Sequence, residues 1–227
     1  MRWKYVSAVA LVATLIKPTT SHAQFVIYTN QATFLAAITN PGVDTFFGFN
    51  TTGTTASPTS RTAGVYEYTA SVSNRQDFFF GARTVENPAL STNTATDTIT
   101  FAVFTGGVGA IGGNFFGTSL DGAFASGNIV VTFVDATGAR STTLTGPTAS
   151  RFFGVVSLSR VISSFTVSAV QPGGESSLFP TVDNLTLAQT TVPEPGTIAL
   201  LATGLLAIGL AARRKRALVN AHGNAHE

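Results

Sequence analysis

The C-terminal end of this chain cannot belong to a folded globular core, and this confines the fold to what precedes it. Val192-Pro193-Glu194-Pro195-Gly196 is followed by an unbroken apolar run from Thr197 to Ala212, and Arg213-Arg214-Lys215-Arg216 closes it. Proline fixes φ and has no backbone N–H, so the Pro193–Pro195 pair forms a stiff break. The apolar run has 16 residues. As a helix rising ~1.5 Å per residue it reaches roughly 24 Å, a little short of a ~30 Å hydrocarbon core. Four cations at its C-terminal end stay on the cytoplasmic side, which leaves the preceding chain outside. Residues 190–196 therefore read as a linker, 197–212 as a transmembrane sorting helix and 213–227 as a basic cytoplasmic tail.

The other end agrees. Arg2 and Lys4 form a positive n-region, and Val6 to Ile16 is an apolar h-region interrupted only by Ser7 and Thr14. Ser21-His22-Ala23 places small residues at the two positions a signal peptidase reads. Residues 1–23 read as a signal peptide cut before Gln24. Lys17 and Pro18 end the run, which argues against a permanent N-terminal anchor.

At its tail the chain resembles the PEP-CTERM proteins. These bacterial exported proteins end in a Pro-Glu-Pro motif, a short transmembrane segment and an Arg-rich cluster. The matching positions are Pro193, Glu194 and Pro195, then Thr197 to Ala212, then Arg213, Arg214, Lys215 and Arg216. The resemblance implies recognition and cutting by exosortase, a membrane protease. It also implies a transient stay in the inner membrane of a Gram-negative envelope, then the cell surface or extracellular matrix, with a link to exopolysaccharide or biofilm. A plain C-terminal anchor is the competing reading. The Leu-Pro-x-Thr-Gly signal of Gram-positive sorting does not fit Val192 to Gly196.

Removing both ends changes the chemistry available. Of 13 Lys and Arg, Arg2, Lys4 and Lys17 leave with the signal peptide and Arg213 to Arg216 with the tail, so six remain, all Arg. Of 11 acids, Glu227 leaves and Glu194 is at the cut, so the mature domain carries about −3 to −4. The basic pI belongs to the sorting signals and is no argument for nucleic acid, which needs a basic face on the folded part. All three His, His22, His222 and His226, lie in the processing segments or at their edge, and the chain has no Cys. A serine nucleophile then has no His or Lys to take its proton. Zinc and copper lose imidazole and thiolate. Without disulfides the exported fold rests on its core, for which about 170 residues suffice. The expectation is a non-enzymatic domain.

Residues 24–189 are rich in Thr, Ser, Gly, Val and Phe, with turn residues recurring every ten or so positions. β-Branched and aromatic residues favour pleated, half-buried surfaces. One short helix is expected early, capped by Thr29 or Asn30, with Phe34, Leu35 and Ile38 on one face and Asn40-Pro41-Gly42 as its stop. Strands are expected at Val43–Phe49, Val65–Val72, Asp77–Phe80, Thr98–Phe104, Val108–Phe116, Phe152–Leu158, Ile162–Val170 and Thr181–Leu187. Gly109, Gly112 and Gly113 suggest a bulge or a close strand approach. Ile129–Val134 and Arg140–Thr145 read as a hairpin around Asp135-Ala136-Thr137-Gly138. Thr51–Thr62 and Asn87–Thr96 read as exposed loops. The sum is all-β: an antiparallel β-sandwich, jelly-roll-like.

Two weaker signals concern ligands. Val182-Asp183-Asn184-Leu185 resembles a final-strand pattern of carbohydrate-binding jelly rolls, in which the Asp helps hold structural calcium. By that resemblance Asp183 is a candidate calcium ligand, with oxygen donors from Asp44, Asp77, Asp121 or Asp135. No EF-hand-like spacing accompanies it, and the competing reading is a hydrogen bond to a neighbouring turn. No other cofactor is expected. Tyr66 and Tyr68, with Phe78, Phe79 and Phe80, are candidates for stacking on sugar rings if they face a groove, although most Phe must fill the core. A lectin-like carbohydrate-binding module is accordingly the alternative to a matrix protein.

Overall fold

The computed structural model describes residues 25–49, 53–73, 78–84, 87–158, 161–173, 177–190 and 201–209. The expected signal peptide, residues 1–23, lies outside them, as do Asp77 and the sorting-motif residues Pro193, Glu194, Pro195 and Arg213 to Arg216. In chain order the elements are β1 (Phe25–Tyr28), α1 (Gln31–Ala36), β2 (Ile38–Asp44), β3 (Thr54–Ala56), β4 (Thr59–Ala63) and β5 (Tyr66–Val72). They continue with β6 (Phe78–Thr84), β7 (Asn87–Thr92), β8 (Ile99–Ala102), β9 (Ala110–Thr118) and β10 (Phe124–Ala125). The last are β11 (Ile129–Asp135), β12 (Gly138–Leu144), β13 (Phe152–Ser157), β14 (Ser164–Ala169) and β15 (Phe179–Thr190).

The strands form two open antiparallel sheets. The first runs β1-β13-β9-β15-β7-β6-β3, with β10 beside β9 and β2 beside β15; the second runs β12-β11-β14-β8-β5-β4. From β8 onward the chain passes back and forth between them, β8 in the second sheet, β9 in the first, β11 in the second, β13 in the first, β14 in the second and β15 in the first. One core joins the inner faces, with Ile99, Phe101, Val131, Phe165 and Val167 of the second sheet meeting Ile111, Phe115, Val155, Val182 and Leu187 of the first. Phe115 and Phe165 meet across it at 5.2 Å between ring centroids. Alternation explains the pattern: successive side chains of a strand point to opposite faces, and β11 reads buried and half-buried in strict turn.

The expected helix forms but is shorter. Asn30 caps it, its Oδ1 accepting from Thr33 N at 3.1 Å. It ends at Ala36, and Ile38 to Asp44 runs on as strand through Pro41 rather than stopping there. Phe34 is fully buried while Leu35 is 40% exposed. The helix sits on the outer face of the first sheet, where Phe34, Ile38, Ala110, Phe152, Val156 and Ala188 form a second cluster. Glycine makes room for it: a Cβ on Gly154 would lie 2.6 Å from Phe34 Cδ2, and one on Gly112 3.0 Å from the same ring. The close approach expected at Gly112 is therefore made by two rings, Phe152 of β13 at 2.7 Å and Phe34 of the helix at 3.0 Å from its would-be Cβ. The bulge is in the facing strand, where the β15 register shifts between Asp183 and Thr186 and Asn184 has φ 52°.

Other expectations need correction. Thr51–Thr62 is not simply loop, because it supplies edge strands β3 and β4. Asn87–Thr96 is not an exposed loop. Its first half is β7, with Ala89 and Leu90 fully buried. Pro88 is tolerated because β7 meets β15 only at Leu90 and Ser91, beyond the missing N–H. The Ser91 hydroxyl that made the segment look solvated bonds hydroxyls of two other strands inside the protein. Thr181 Oγ1 donates to Ser91 Oγ at 2.9 Å and lies 2.9 Å from Thr118 Oγ1, and all three residues are within 1% of full burial. Val43–Phe49 is strand only to Asp44; Phe46 turns back with φ 56° to bury its ring.

Candidate functional site

The strongest polar cluster in the domain joins its two sheets. Asp44 ends β2 of the first sheet, Arg61 lies in edge strand β4 and Tyr68 faces it from β5 of the second. Arg61 donates from Nε to Asp44 Oδ2 at 2.6 Å and from Nη2 to Oδ1 at 2.7 Å. Tyr68 Oη adds a bond to Oδ2 at 2.7 Å, and the Phe46 N–H one to Oδ1 at 2.7 Å. The guanidinium stacks over Phe46 and Phe49, 5.3 and 5.8 Å from their ring centres. The bidentate bond from Asp44 raises the Arg61 pKa further above its ordinary value. Every oxygen of this carboxylate is taken, so it has no lone pair aimed at a substrate. The sequence did not single out this pair. Its one signal is a charged residue at an inward strand position, next to Ser60 and Thr62, which are half-buried or exposed.

The cluster corrects the expected sugar contacts. Tyr66 and Tyr68 are 1% and 2% exposed, so neither ring offers a face to a sugar. Their shared strand face was read correctly, but it is the core face. Each hydroxyl has an internal partner that makes burial tolerable, Asn40 O at 2.8 Å for Tyr66 and Asp44 for Tyr68. Phe79 is fully buried as well. The side chains of Phe78 and Phe80 lie outside the described residues.

Burial raises the pKa of both tyrosines, most for Tyr68. A raised folded-state pKa means that the unfolded chain loses its proton first. The stabilisation is complete below the ordinary value of 10.0 and is lost as pH climbs above it. Melting temperature is therefore expected to hold to about pH 9 and fall from about pH 10 upward, with a shallower fall in Tyr68→Phe. A flat profile to about pH 11.5 would show that the tyrosines ionise freely in the fold.

The described carboxylates proposed for calcium, Asp44, Asp121, Asp135 and Asp183, do not gather into one group. Asp44 is engaged by Arg61. Asp135 is 4% exposed and closes the β11–β12 turn, its Oδ1 accepting from Thr137 N at 2.7 Å. Asp121 is bound by Ser119 Oγ, which holds its pKa below the usual value. Asp183 is 3% exposed in β15, opposite Asn114 of β9. Among the described residues no three His, Cys, Asp or Glu come together as a metal site.

Two open grooves remain. One, about 610 Å³, runs over the β4–β5 edge between Ser60, Thr62, Glu67, Thr69, Val103 and Thr105. It offers hydroxyls, the Glu67 carboxylate and the edge of the Arg61–Tyr68 cluster, since Arg61 and Tyr68 also line it. The other, about 600 Å³, lies at the opposite end of the two sheets among Ser119, Leu120, Ser126, Pro172, Leu178 and Phe179.

β15 leads the chain out of the domain. Its last residues pair with β9 on one side and β2 on the other, Ala188 with Ala110 and Thr190 with Ile38. Strand structure reaches Thr190, immediately before the proline break. Beyond it, residues 201–209 are helical and exposed throughout. That stretch spans roughly 14 Å at ~1.5 Å per residue, and among the described residues no helix is long and apolar enough to cross a membrane.

A two-sheet β domain that hands its last strand directly to a Pro-Glu-Pro, apolar and basic tail defines a class: an exported domain with a removable sorting signal. The family model described as the PEP-CTERM protein-sorting motif matches residues 191–216. The motif marks an exported, cell-surface-directed protein processed by exosortase. Neither the curated proteins nor the solved structures gave a match to the chain.

Proposed function

We propose that this protein is a non-enzymatic surface or extracellular-matrix protein, held briefly in the inner membrane by its tail, cut by exosortase and then associated with exopolysaccharide or biofilm matrix. The observation that carries the reading is the PEP-CTERM motif at residues 191–216, directly after the last strand of the β domain. The lack of His, Lys and Cys between residues 24 and 189 supports the non-enzymatic part, because general acid–base and nucleophilic catalysis at neutral pH draw mostly on those side chains.

A second reading, a weak lectin-like module, is favoured by the hydroxyl-lined groove over β4 and β5. The winding of the chain between two sheets also suits a jelly-roll sandwich. With Tyr66 and Tyr68 in the core, such a site would rest on hydrogen bonds from the Ser60, Thr62 and Thr105 hydroxyls and on sugar hydroxyls donating to Glu67. Affinity should then be on the order of 10 µM to 1 mM per site, strengthened on a surface by avidity. The test is a panel of envelope and matrix polysaccharides, with turnover and binding followed together. The expected result is no release of reducing ends. Release that disappears on changing one pair of acids would show an enzyme instead.

A further inference from the structure

Both ends of the β domain leave from the same pole. In the first sheet Phe25 pairs with Ser157, Val156 with Ala110, Ala110 with Ala188 and Thr190 with Ile38, so the start of β1 and the end of β15 lie along one rim. In the second sheet Val134 pairs with Ser164, and Ser164 with Ala102, at the matching rim. Hydrogen bonds tie the rims together, from Ile162 N to Val108 O at 2.8 Å and from Gln189 Nε2 to Gly106 O at 2.9 Å.

The loops of this pole expose three valines. Val65, Val103 and Val161 are 80%, 74% and 57% exposed. Val103 also has φ 55°, a left-handed conformation that is strained for a β-branched residue. Strain of this kind clusters at functional surfaces, and here it falls on an exposed side chain. None of the described residues in the connections 64–65, 103–109, 136–137 and 161–163 is charged, so entry of the valines themselves desolvates no ion; Glu67, bonded to Thr105, and Arg160, next to Val161 in the chain, must stay in the hydrated headgroup region.

The length of the tail identifies what covers them. From Thr190 to Thr197 the chain spans at most about 25 Å, since an extended residue covers ~3.3–3.6 Å. Resting on the reading of the tail as membrane-held, this pole stays within that distance of the lipid until the tail is cut. We propose that the pole bearing both termini docks on the outer leaflet of the membrane that holds the tail, with Val65, Val103 and Val161 entering the headgroup region. Tethering keeps the local lipid concentration high, so three valines suffice for a contact too weak to persist once the tail is gone. The contact would hold the Pro193–Pro195 segment at the lipid surface, where a membrane protease cuts.

The chain has no Cys, so single-cysteine labels report unambiguously. Full-length protein carrying Val103→Cys, Val161→Cys or, at the far pole, Leu120→Cys would be labelled with an environment-sensitive fluorophore. Each variant is then reconstituted into phosphatidylethanolamine–phosphatidylglycerol vesicles with headgroup-spin-labelled lipid. Leu120 is a fair control because it is 77% exposed. The expected result is at least about twofold quenching at positions 103 and 161 and none at 120, as insertion reaches only ~5–10 Å deep. Flotation of the same vesicles tests the tail separately. Chain that floats without selective quenching at the valines overturns the docking alone; chain that does not float overturns the membrane-held tail and the docking with it.

Discussion

Arg61→Leu is expected to destabilise the processed domain by about 3–5 kcal/mol, the usual cost of removing one partner from a buried ion pair. Asp44 is 5% exposed and Arg61 only 19%, so the carboxylate would be left inside the protein without its charged partner. Two of the four bonds to the carboxylate vanish, and the stacking over Phe46 and Phe49 goes with them. For a domain of this size the melting temperature should fall by roughly 6–15 °C. The double variant Arg61→Leu with Asp44→Leu should lose clearly less than the sum of the singles, because no orphan charge remains. Additive losses would mean that the two residues act independently and do not clamp the sheets together.

Gly42→Ala should be comparably severe for a steric reason. A Cβ there would lie 2.0 Å from Ala63 O and 2.9 Å from Gly64 Cα. Both obstacles are backbone, and Gly64 is itself at φ 60° in the β4–β5 turn. β2 and the turn must separate, which pulls at Tyr66 and at the Asp44–Arg61 pair. A loss of about 3 kcal/mol or more is expected, the upper end of the range for overpacking. Gly173→Ala, with nothing within 4 Å of the added carbon, is the control and should stay within about 0.5 kcal/mol. Urea unfolding of the two variants side by side decides it; equal midpoints would contradict the close approach.

What could be read from the sequence was local. The β11–β12 hairpin was legible because alternation and its Asp-Ala-Thr-Gly turn are contiguous, and it forms with a two-residue turn between Asp135 and Gly138. The sorting motif was legible for the same reason. The shared face of Tyr66, Tyr68 and Ala70 was legible too, but not that this face is the core. Periodicity separates two faces without saying which one meets water. The answer depended on Asn40 and Asp44, acceptors supplied by β2 in the other sheet. β7 was hidden because Pro88, Ser91 and Thr92 read as a solvated loop; the partners of Ser91, Thr118 and Thr181, stand 27 and 90 residues from it. The Asp44–Arg61 pair was hidden likewise, its members 17 residues apart in different sheets.

The central claim is that the tail is a removable sorting signal rather than a permanent part of the molecule. Intact-mass measurement of the protein released at the surface of a host that carries exosortase tests it most directly. The account predicts a mature form that has lost everything beyond about Pro195. A mature form that still contains Arg213 to Arg216 would contradict it.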